Sequence, residues 1–404
     1  MKKVLLITYA FSPQSTPESI LSAKIFAKLK DTKVDVVTIR CPIPGNIDLD
    51  PSLEDYIKKN FNTIYECKLN LSFKIISFLG LKKLFPFPDY YRVLNNKIYQ
   101  YIIDNINIKS YDCVVTWSQS HSIHLVGLRL NKHFNLNNWV AYFSDPWSDN
   151  PFFNKSYFGM EKLSNSINEK KVLKQCNKAI CTSIETKKLI QEKYSQEVRN
   201  KIFVIPHCFE NELYPKTIKK TKETKKNKKI TFRYVGRFYG KRFPFILIKA
   251  LKIIEKEDVK IFNSLNFEVY GAQNSIVLLK LNLYKKYLNF CGPLSYFNSL
   301  KIMKTADYLL VIDAPFKNSV FFPSKLVDYM GSKTPVLGIT PQGTARDIIK
   351  NMGGYSFSFD NEKILAKQIL NLIKNKDKNK INSKYINQFR SDHVRNLFLK
   401  VLYQ

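Results

Sequence analysis

The sequence predicts an α/β protein of two doubly wound domains, and three observations carry that prediction. Apolar runs of strand length alternate with helix-length segments from residue 4 onward, which is the rhythm of βαβ units around a parallel sheet. The rhythm restarts at residue 230 after a polar stretch, 217–229 (TIKKTKETKKNKK), whose one apolar residue is Ile218, so this stretch is expected to be an exposed interdomain linker. A chain of 404 residues is also long enough for two separate cores. The 45% hydrophobic and 24% charged residues are globular values. The 65 Lys and Arg against 33 Asp and Glu leave a formal charge of +32, which calls for an anionic partner: nucleic acid, a membrane surface or a phosphorylated substrate. Part of it is compositional bias, since the basic residues are spread along the chain.

Residues 4–9, VLLITY, are apolar but for Thr8 and the hydroxyl of Tyr9, as suits a central parallel strand. The opening MKKVLLITYAFSPQS imitates a signal peptide, but its apolar run is short and no small-residue cleavage pattern follows, so a buried strand is expected. A loop over 10–18 leads to a helix at about 19–29 and a strand at 34–39. That loop lies at the carboxyl end of a strand, where open sheets of this class bind ligands. It carries no G-x-G-x-x-G, so nothing points to a dinucleotide. Residues 71–85, LSFKIISFLGLKKLF, set Lys74, Lys82 and Lys83 among apolar residues. They suit an interfacial helix on an anionic membrane, and equally an internal helix with snorkelling lysines.

Residues 112–117 are the next strand, and SQSHSIHLVGLRL follows with Ser118, Ser120, His121 and His124 at the strand end and into a helix. Two histidines three apart share a helix face, but further metal ligands are missing and no glycine-flanked elbow surrounds a serine. Neither a metal site nor a catalytic triad is expected. The strand at 139–143 ends in SDPWSDNPF, where Asp145 either faces the ligand end of the sheet or serves as a turn residue, and Pro146 and Trp147 fix the loop. A long helical region to Gln175, a strand at 178–183, a helix and then KIFVIPHCFE at 201–210 close the domain. The seven cysteines are scattered without a C-x-x-C, so neither a disulfide framework nor a zinc site follows and a reducing cytosol fits. No run approaches the ~20 apolar residues that span a bilayer.

The second domain opens with a strand at 230–235 and GRFYGKRFPFILIKALKII. Gly236 and Gly240 permit a tight turn, and Arg237, Lys241 and Arg242 gather at the mouth of the next helix, a natural clamp for a diphosphate. Strands follow at 267–270, 288–291 and 307–312, the last trailed by Asp313. Then comes 321–338, FFPSKLVDYMGSKTPVLG. Pro323 suits the first turn of a helix, Leu326, Val327, Tyr329 and Met330 give it an apolar face, Gly331 is the expected stop, and 335–338 reads as a buried strand. The helix start, Pro323 to Lys325 with Ser324 between, offers backbone N–H groups to a phosphate. Asp328, about one and a half turns on, is in reach of a ribose; the plainer alternative is an ordinary surface Asp.

Taken together, FFPSKLVDYMGSKTPVLG, SDPWSDNPF, GRFYGKRFP, IPHCFE, PFPDYY and CGPLSYFNSLKIMKTADYLLVIDAP resemble, in order and over nearly the whole chain, the motifs of retaining glycosyltransferases with the GT-B fold. The resemblance is to family-four-like enzymes of bacterial surface polysaccharides. It implies two Rossmann-like domains facing across a cleft: 1–210 on the acceptor side, 211–229 a basic linker, 230–384 binding the nucleotide sugar, and 385–404 a helix crossing back to the first domain. It further implies that Arg237 and Lys241 or Arg242 neutralise the donor diphosphate, with Gly236, Pro323, Ser324, Lys325 and Asp328 holding the donor. His121 would touch the donor sugar, and Ser118, His124, Asp145 and Trp147 would line the cleft or the acceptor side. Two positions depart from the pattern: Ser144 stands where the family has Arg, and Val320 where it has a sugar-contacting Glu.

The resemblance implies transfer with retention, by front-face attack in which a donor phosphate oxygen takes the acceptor proton, so that neither a dedicated base, a metal nor a cofactor is needed. The expected partners are a nucleotide sugar, a saccharide or polyprenyl-linked acceptor and an anionic inner membrane, and not nucleic acid, since the lysine run lacks aromatic interleaving. The expected location is cytoplasmic, peripheral on the inner face of the membrane. Two other classes stay open: a nucleotide-sugar 2-epimerase, which shares the fold, and a non-catalytic sugar-nucleotide or membrane-binding module.

Overall fold

The computed structural model describes residues 1–39, 49–69, 73, 75, 87–151, 160–216, 229–375 and 381–403. The expected linker falls outside them except for its two ends (211–216 and Lys229), as do Lys74, Lys82, Lys83 and most of the apolar stretch around them. The chain divides into two compact units, residues 1–208 with 391–404, and residues 209–390.

In the first unit, strands β1 (Lys2–Thr8), β2 (Thr32–Ile39), β3 (Thr63–Cys67), β4 (Cys113–Ser118), β5 (Trp139–Phe143), β6 (Lys178–Cys181) and β7 (Ile202–Val204) form one sheet in the order β3-β2-β1-β4-β5-β6-β7. Every pairing is parallel, with Val4 of β1 opposite Val34 of β2 on one side and Cys113 of β4 on the other. Both faces are covered, so Val4 to Thr8 are buried without alternation. The helices are α1 (Pro17–Phe26), α2 (Glu54–Asn60), α3 (Asn95–Asn105), α4 (Ile123–Phe134), α5 (Met160–Gln175), α6 (Ile184–Lys193) and α7 (Gln196–Asn200). α1 begins two residues earlier than its apolar periodicity predicts. Thr16 caps it, Pro17 sits in its first turn, and the Ser19 side chain completes a capping box.

The second unit repeats the plan. Strands β8 (Ile230–Val235), β9 (Leu265–Tyr270), β10 (Asn289–Gly292), β11 (Tyr308–Ile312), β13 (Val336–Ile339) and β15 (Tyr355–Phe357) make a parallel sheet ordered β10-β9-β8-β11-β13-β15. Two short strands, β12 (Asn318–Ser319) and β14 (Gln342–Gly343), pair beside it. The helices are α8 (Phe245–Glu257), α9 (Val259–Asn263), α10 (Ser275–Leu283), α11 (Tyr296–Met303), α12 (Ser324–Ser332), α13 (Thr344–Asn351), α14 (Glu362–Asn375) and α15 (Ser383–Asn387). Phe232, Phe267 and Tyr308 stack at the centre of its core, at centroid separations of 4.5 and 5.0 Å from Phe232.

One expectation about α12 is corrected. Gly331 does not end the helix; Lys333 does, in the left-handed conformation at φ 57°. Gly331 serves a close approach instead, because a Cβ there would strike the hydroxyl of Tyr214.

The last helix, α16 (Ser391–Tyr403), belongs to the first unit. Arg395 donates to the Lys24 carbonyl through Nε and Nη2, at 3.1 and 2.7 Å, and Phe398 packs edge-on against Phe26 at 5.0 Å. Phe398 is fully buried, so Phe398→Ala should lower the stability of the first unit by about 3–5 kcal/mol, read by chemical denaturation. An unchanged midpoint would mean that the helix is held by its polar bonds alone.

Candidate functional site

In each sheet the strand order reverses direction of growth at one point, β1/β4 in the first unit and β8/β11 in the second, and ligands of doubly wound sheets bind outside the strand ends there. In the second unit, β8 runs into Gly236, whose φ of 141° and lack of a side chain suit two close neighbours. A Cβ on Gly236 would lie 2.7 Å from Lys325 Nζ. Gln273 binds the same turn, donating to the Gly236 carbonyl at 2.9 Å and accepting from the Phe238 N–H at 2.9 Å. Arg237 and Lys241 stand exposed on the turn that results, and Tyr234 donates to the Arg237 carbonyl.

Arg242 has a different fate from its two neighbours. It is buried, and its Nε and Nη2 both lie 3.0 Å from Asp313 Oδ1, at the end of β11. The guanidinium also lies over the Tyr239 ring at 4.5 Å. Asp313 in turn accepts from the Ala314 N–H at 2.8 Å and the Ser319 hydroxyl at 2.5 Å. Arg242 thus ties the two loops of the switch point together, and its charge is largely compensated by Asp313. The basic groups on the outer turn are Arg237 and Lys241.

Pro323 occupies the N-cap position of α12 without a side-chain capping bond, and Ser324 opens the helix. Lys325 follows, half-buried, with Nζ 3.7 Å from the Tyr234 ring centroid. Desolvation first, and the Arg242 charge second, hold its pKa well below the usual lysine range, with Asp313 opposing. Asp328 is no ordinary surface residue: it is 8% exposed and accepts from the Tyr296 hydroxyl at 2.9 Å, while Tyr214 donates to its carbonyl at 2.8 Å. Val320 precedes the helix, and its carbonyl accepts from Thr344 at 3.3 Å. Cationic groups, a helix start and a fixed carboxylate are therefore gathered on one α/β unit, an arrangement suited to a phosphate ester that also carries hydroxyls.

In the first unit the switch point is centred on a residue that sequence reasoning passed over, Glu18 in the first turn of α1. Its oxygens accept from Ser144 Oγ and Trp117 Nε1, each at 2.8 Å. Desolvation and then the nearby Asp145 charge push its pKa up to about 8, against the lowering effect of those bonds. Ser144, where the resembling enzymes have Arg, thus bonds a carboxyl group directly. Asp145 accepts a short hydrogen bond from Gln119. His121 donates from Nε2 to the Asp145 carbonyl at 3.1 Å and stacks on Trp147; burial lowers its pKa to about 4. His124 is fully buried, shares a 2.8 Å hydrogen bond with Thr116 and packs against Phe143. Ser118 donates to the Tyr142 carbonyl and Trp147 to Asn165, both from buried positions. Of the five residues expected to face ligand in this unit, Ser118, His124 and Trp147 are built into the core, and His121 and Asp145 stand with Glu18 at the strand ends. An acidic residue directly behind the first strand's loop was the signal that would have found Glu18. Among the described residues no group of His, Cys, Asp and Glu could hold a metal ion, and no helix is long and apolar enough to cross a membrane.

Residues 215–389 match the family model of Glycosyl transferases group 1. That match indicates a glycosyltransferase. No curated protein matches the chain in sequence. Among solved structures, the chain is similar over its full length to Anabaena Alr3699/HepE in complex with UDP and glucose, at TM-score 0.69 and 14% identity, covering 99% of that chain. It is similar to sucrose-phosphate synthase from Thermosynechococcus elongatus at TM-score 0.69 and 13% identity, covering 99% of this chain and 98% of that one. A third is the S. aureus MnaA-UDP co-structure, at TM-score 0.61 and 12% identity, with 100% and 98% covered. At these identities the likeness concerns the fold: two parallel-sheet α/β domains with GT-B neighbours.

Glu18 yields a pH prediction for the first unit. Its folded pKa of about 8 lies above its ordinary 4.5, so the folded state holds the extra proton between those values. The stability that this proton contributes is complete below pH 4.5 and is lost as pH rises toward 8. Denaturation midpoints of the wild type should therefore fall over that range, and Glu18→Gln should flatten the fall. Identical pH profiles would show that the carboxyl is solvated and titrates normally.

Proposed function

We propose that the protein transfers a sugar from a nucleotide-diphosphate sugar to a saccharide or polyprenyl-linked acceptor, with retention of anomeric configuration, in the building of a surface glycan at the inner face of the cytoplasmic membrane. The observation that carries the reading is the second unit's switch point, where Arg237, Lys241, the α12 start with Lys325, and the buried Asp328 gather within the stretch matched by the group 1 family. The UDP held by the Anabaena neighbour is further support for a nucleotide-sugar donor.

In this reading the diphosphate lies against the Gly236 turn and the α12 start. Arg237 and Lys241 offset the charge that develops on it as the glycosidic bond breaks. Lys325, whose pKa burial lowers, is drawn toward its protonated form when the polyanion arrives. Asp328, steadied by Tyr296, accepts from the ribose hydroxyls, and the Arg242–Asp313 pair fixes both loops. Retention follows from front-face attack, the acceptor proton passing to a donor phosphate oxygen. With Val320 in place of a sugar-contacting Glu, the donor sugar is recognised by other groups.

A putative UDP-N-acetylglucosamine 2-epimerase from Listeria monocytogenes, similar in fold at TM-score 0.61 and 14% identity, keeps a second reading in view. The two separate cleanly: acceptor-dependent release of the nucleoside diphosphate supports transfer, and acceptor-free isomerisation of the sugar supports epimerisation.

The expected effects are specific. Arg237→Ala should reduce kcat by ~100-fold or more in a folded protein, because one preorganised charge at the leaving group is lost. Normal turnover would remove Arg237 from the diphosphate site. Asp328→Asn should weaken nucleoside diphosphate binding in calorimetry by ~1.5–3 kcal/mol, the worth of hydrogen bonds to a charged acceptor. Equal affinity would mean that the ribose lies elsewhere. Calorimetry in buffers of different ionisation enthalpy should also show proton uptake on binding, since Lys325 starts from a depressed pKa, and affinity should fall as pH rises. Lys325→Met should abolish the uptake; uptake that persists in this variant belongs to another group.

A further inference from the structure

We infer that the outer face of α10 docks the second unit on an anionic lipid bilayer. This deepens the membrane clause of the proposed function and names a surface for it that the sequence did not single out. α10 is apolar on both sides. Val277 and Leu281 are buried against the core, while Ile276, Leu279 and Leu283 point outward at 64, 67 and 78% exposure. Positions i, i+3 and i+7 fall on one helix face, so the three side chains form a continuous stripe. Residues 229–375 are described without a break, and none of them covers it. The half-exposed ring of Phe245 extends the apolar surface, with Lys280 Nζ 5.4 Å from its centroid.

The charge around the stripe selects the occupant. Between residues 275 and 287 there are three lysines, Lys280, Lys285 and Lys286, and no acidic residue. Glu255 of α8 faces Lys286 and Tyr287 and is the acid found opposite this group. Lys252 of α8 adds a further cation over the Tyr284 and Tyr287 rings, at 5.6 and 5.9 Å. A second copy of the chain would press these lysines against their own images. Three aliphatic side chains on a nine-residue helix also fall well short of the ~800 Å² per partner of a stable protein interface. A bilayer surface meets both features: aliphatic side chains enter the headgroup boundary while flanking lysines reach lipid phosphates.

Flotation of the full-length protein with phosphatidylcholine vesicles, with and without phosphatidylglycerol, tests the inference. The wild type should float with the anionic vesicles and far less with the neutral ones. Ile276→Gln/Leu279→Gln/Leu283→Gln should lower co-flotation by ~10-fold or more, since the apolar anchor is gone. Its melting temperature should hold, the replaced groups being exposed, and so should its turnover on a soluble acceptor. Lys285→Glu/Lys286→Glu should remove the preference for phosphatidylglycerol. If the wild type floats with neither vesicle, the membrane clause and the α10 face both fail, while donor binding is untouched. If the wild type floats and the triple variant floats equally well, or only Lys74→Glu/Lys82→Glu/Lys83→Glu abolishes flotation, the α10 assignment is wrong and membrane attachment stands. A wild-type dimer that the triple variant dissolves in sedimentation velocity would make the face a contact between copies, and would overturn the inference.

Discussion

The contact between Arg242 and Asp313 is the constraint on which the second unit's switch point depends. Arg242 belongs to the loop after β8 and Asp313 to the loop after β11, so one buried ion pair closes the crevice that the strand order opens. A buried pair of this kind adds little net stability, because desolvating both charges offsets their attraction, but removing one partner strands the other and costs about 3–5 kcal/mol. Its value is geometric. Ser319 bonds the same carboxylate, β12 pairs with β14, and Thr344 holds the Val320 carbonyl, so the chain enters α12 along a fixed path. The position of Lys325, and with it the burial that lowers its pKa, follows from that path.

Close packing around α12 does the remaining work. Tyr329 is fully buried and its hydroxyl accepts from the Val235 N–H at 3.0 Å, which fastens the helix to the end of β8. Tyr214 reaches the Asp328 carbonyl over the backbone of Gly331, a path that any side chain at 331 would block. Asp328 therefore presents its carboxylate from a rigid helix rather than a loop, which is how a binding group keeps its geometry.

The first unit solves the same problem with a different charge balance. Where the resembling enzymes have Arg, Ser144 supplies a neutral hydroxyl, and Glu18 meets a serine, a tryptophan and the field of Asp145. Burial first, and the Asp145 charge second, favour one proton retained by the carboxyl group, against the two hydrogen bonds. Around it, Trp117 stacks on Tyr142 at 3.7 Å and His121 on Trp147 at 5.3 Å, so the polar centre sits in a rigid aromatic setting.

What the sequence by itself determined was local. The apolar runs at 139–143 and 230–235 are strands to the residue, and the glycine turn after β8 and the helix start at Ser324 stand where their motifs place them. Those features are written in spacings of a few residues, where periodicity and turn chemistry act directly. What only the tertiary structure decided was partnership. Three basic residues in one loop look alike in sequence, yet Arg242 meets an aspartate 71 residues away and is withdrawn into the interior, while Arg237 and Lys241 are exposed. Gly331 reads as a helix stop until Tyr214 is seen to need its space. Glu18 reads as a first-turn acid until burial and the Asp145 charge raise its pKa, against the bond from Ser144, 126 residues on. Charge state and exposure depend on which groups the folded chain brings together, and no local pattern carries that information.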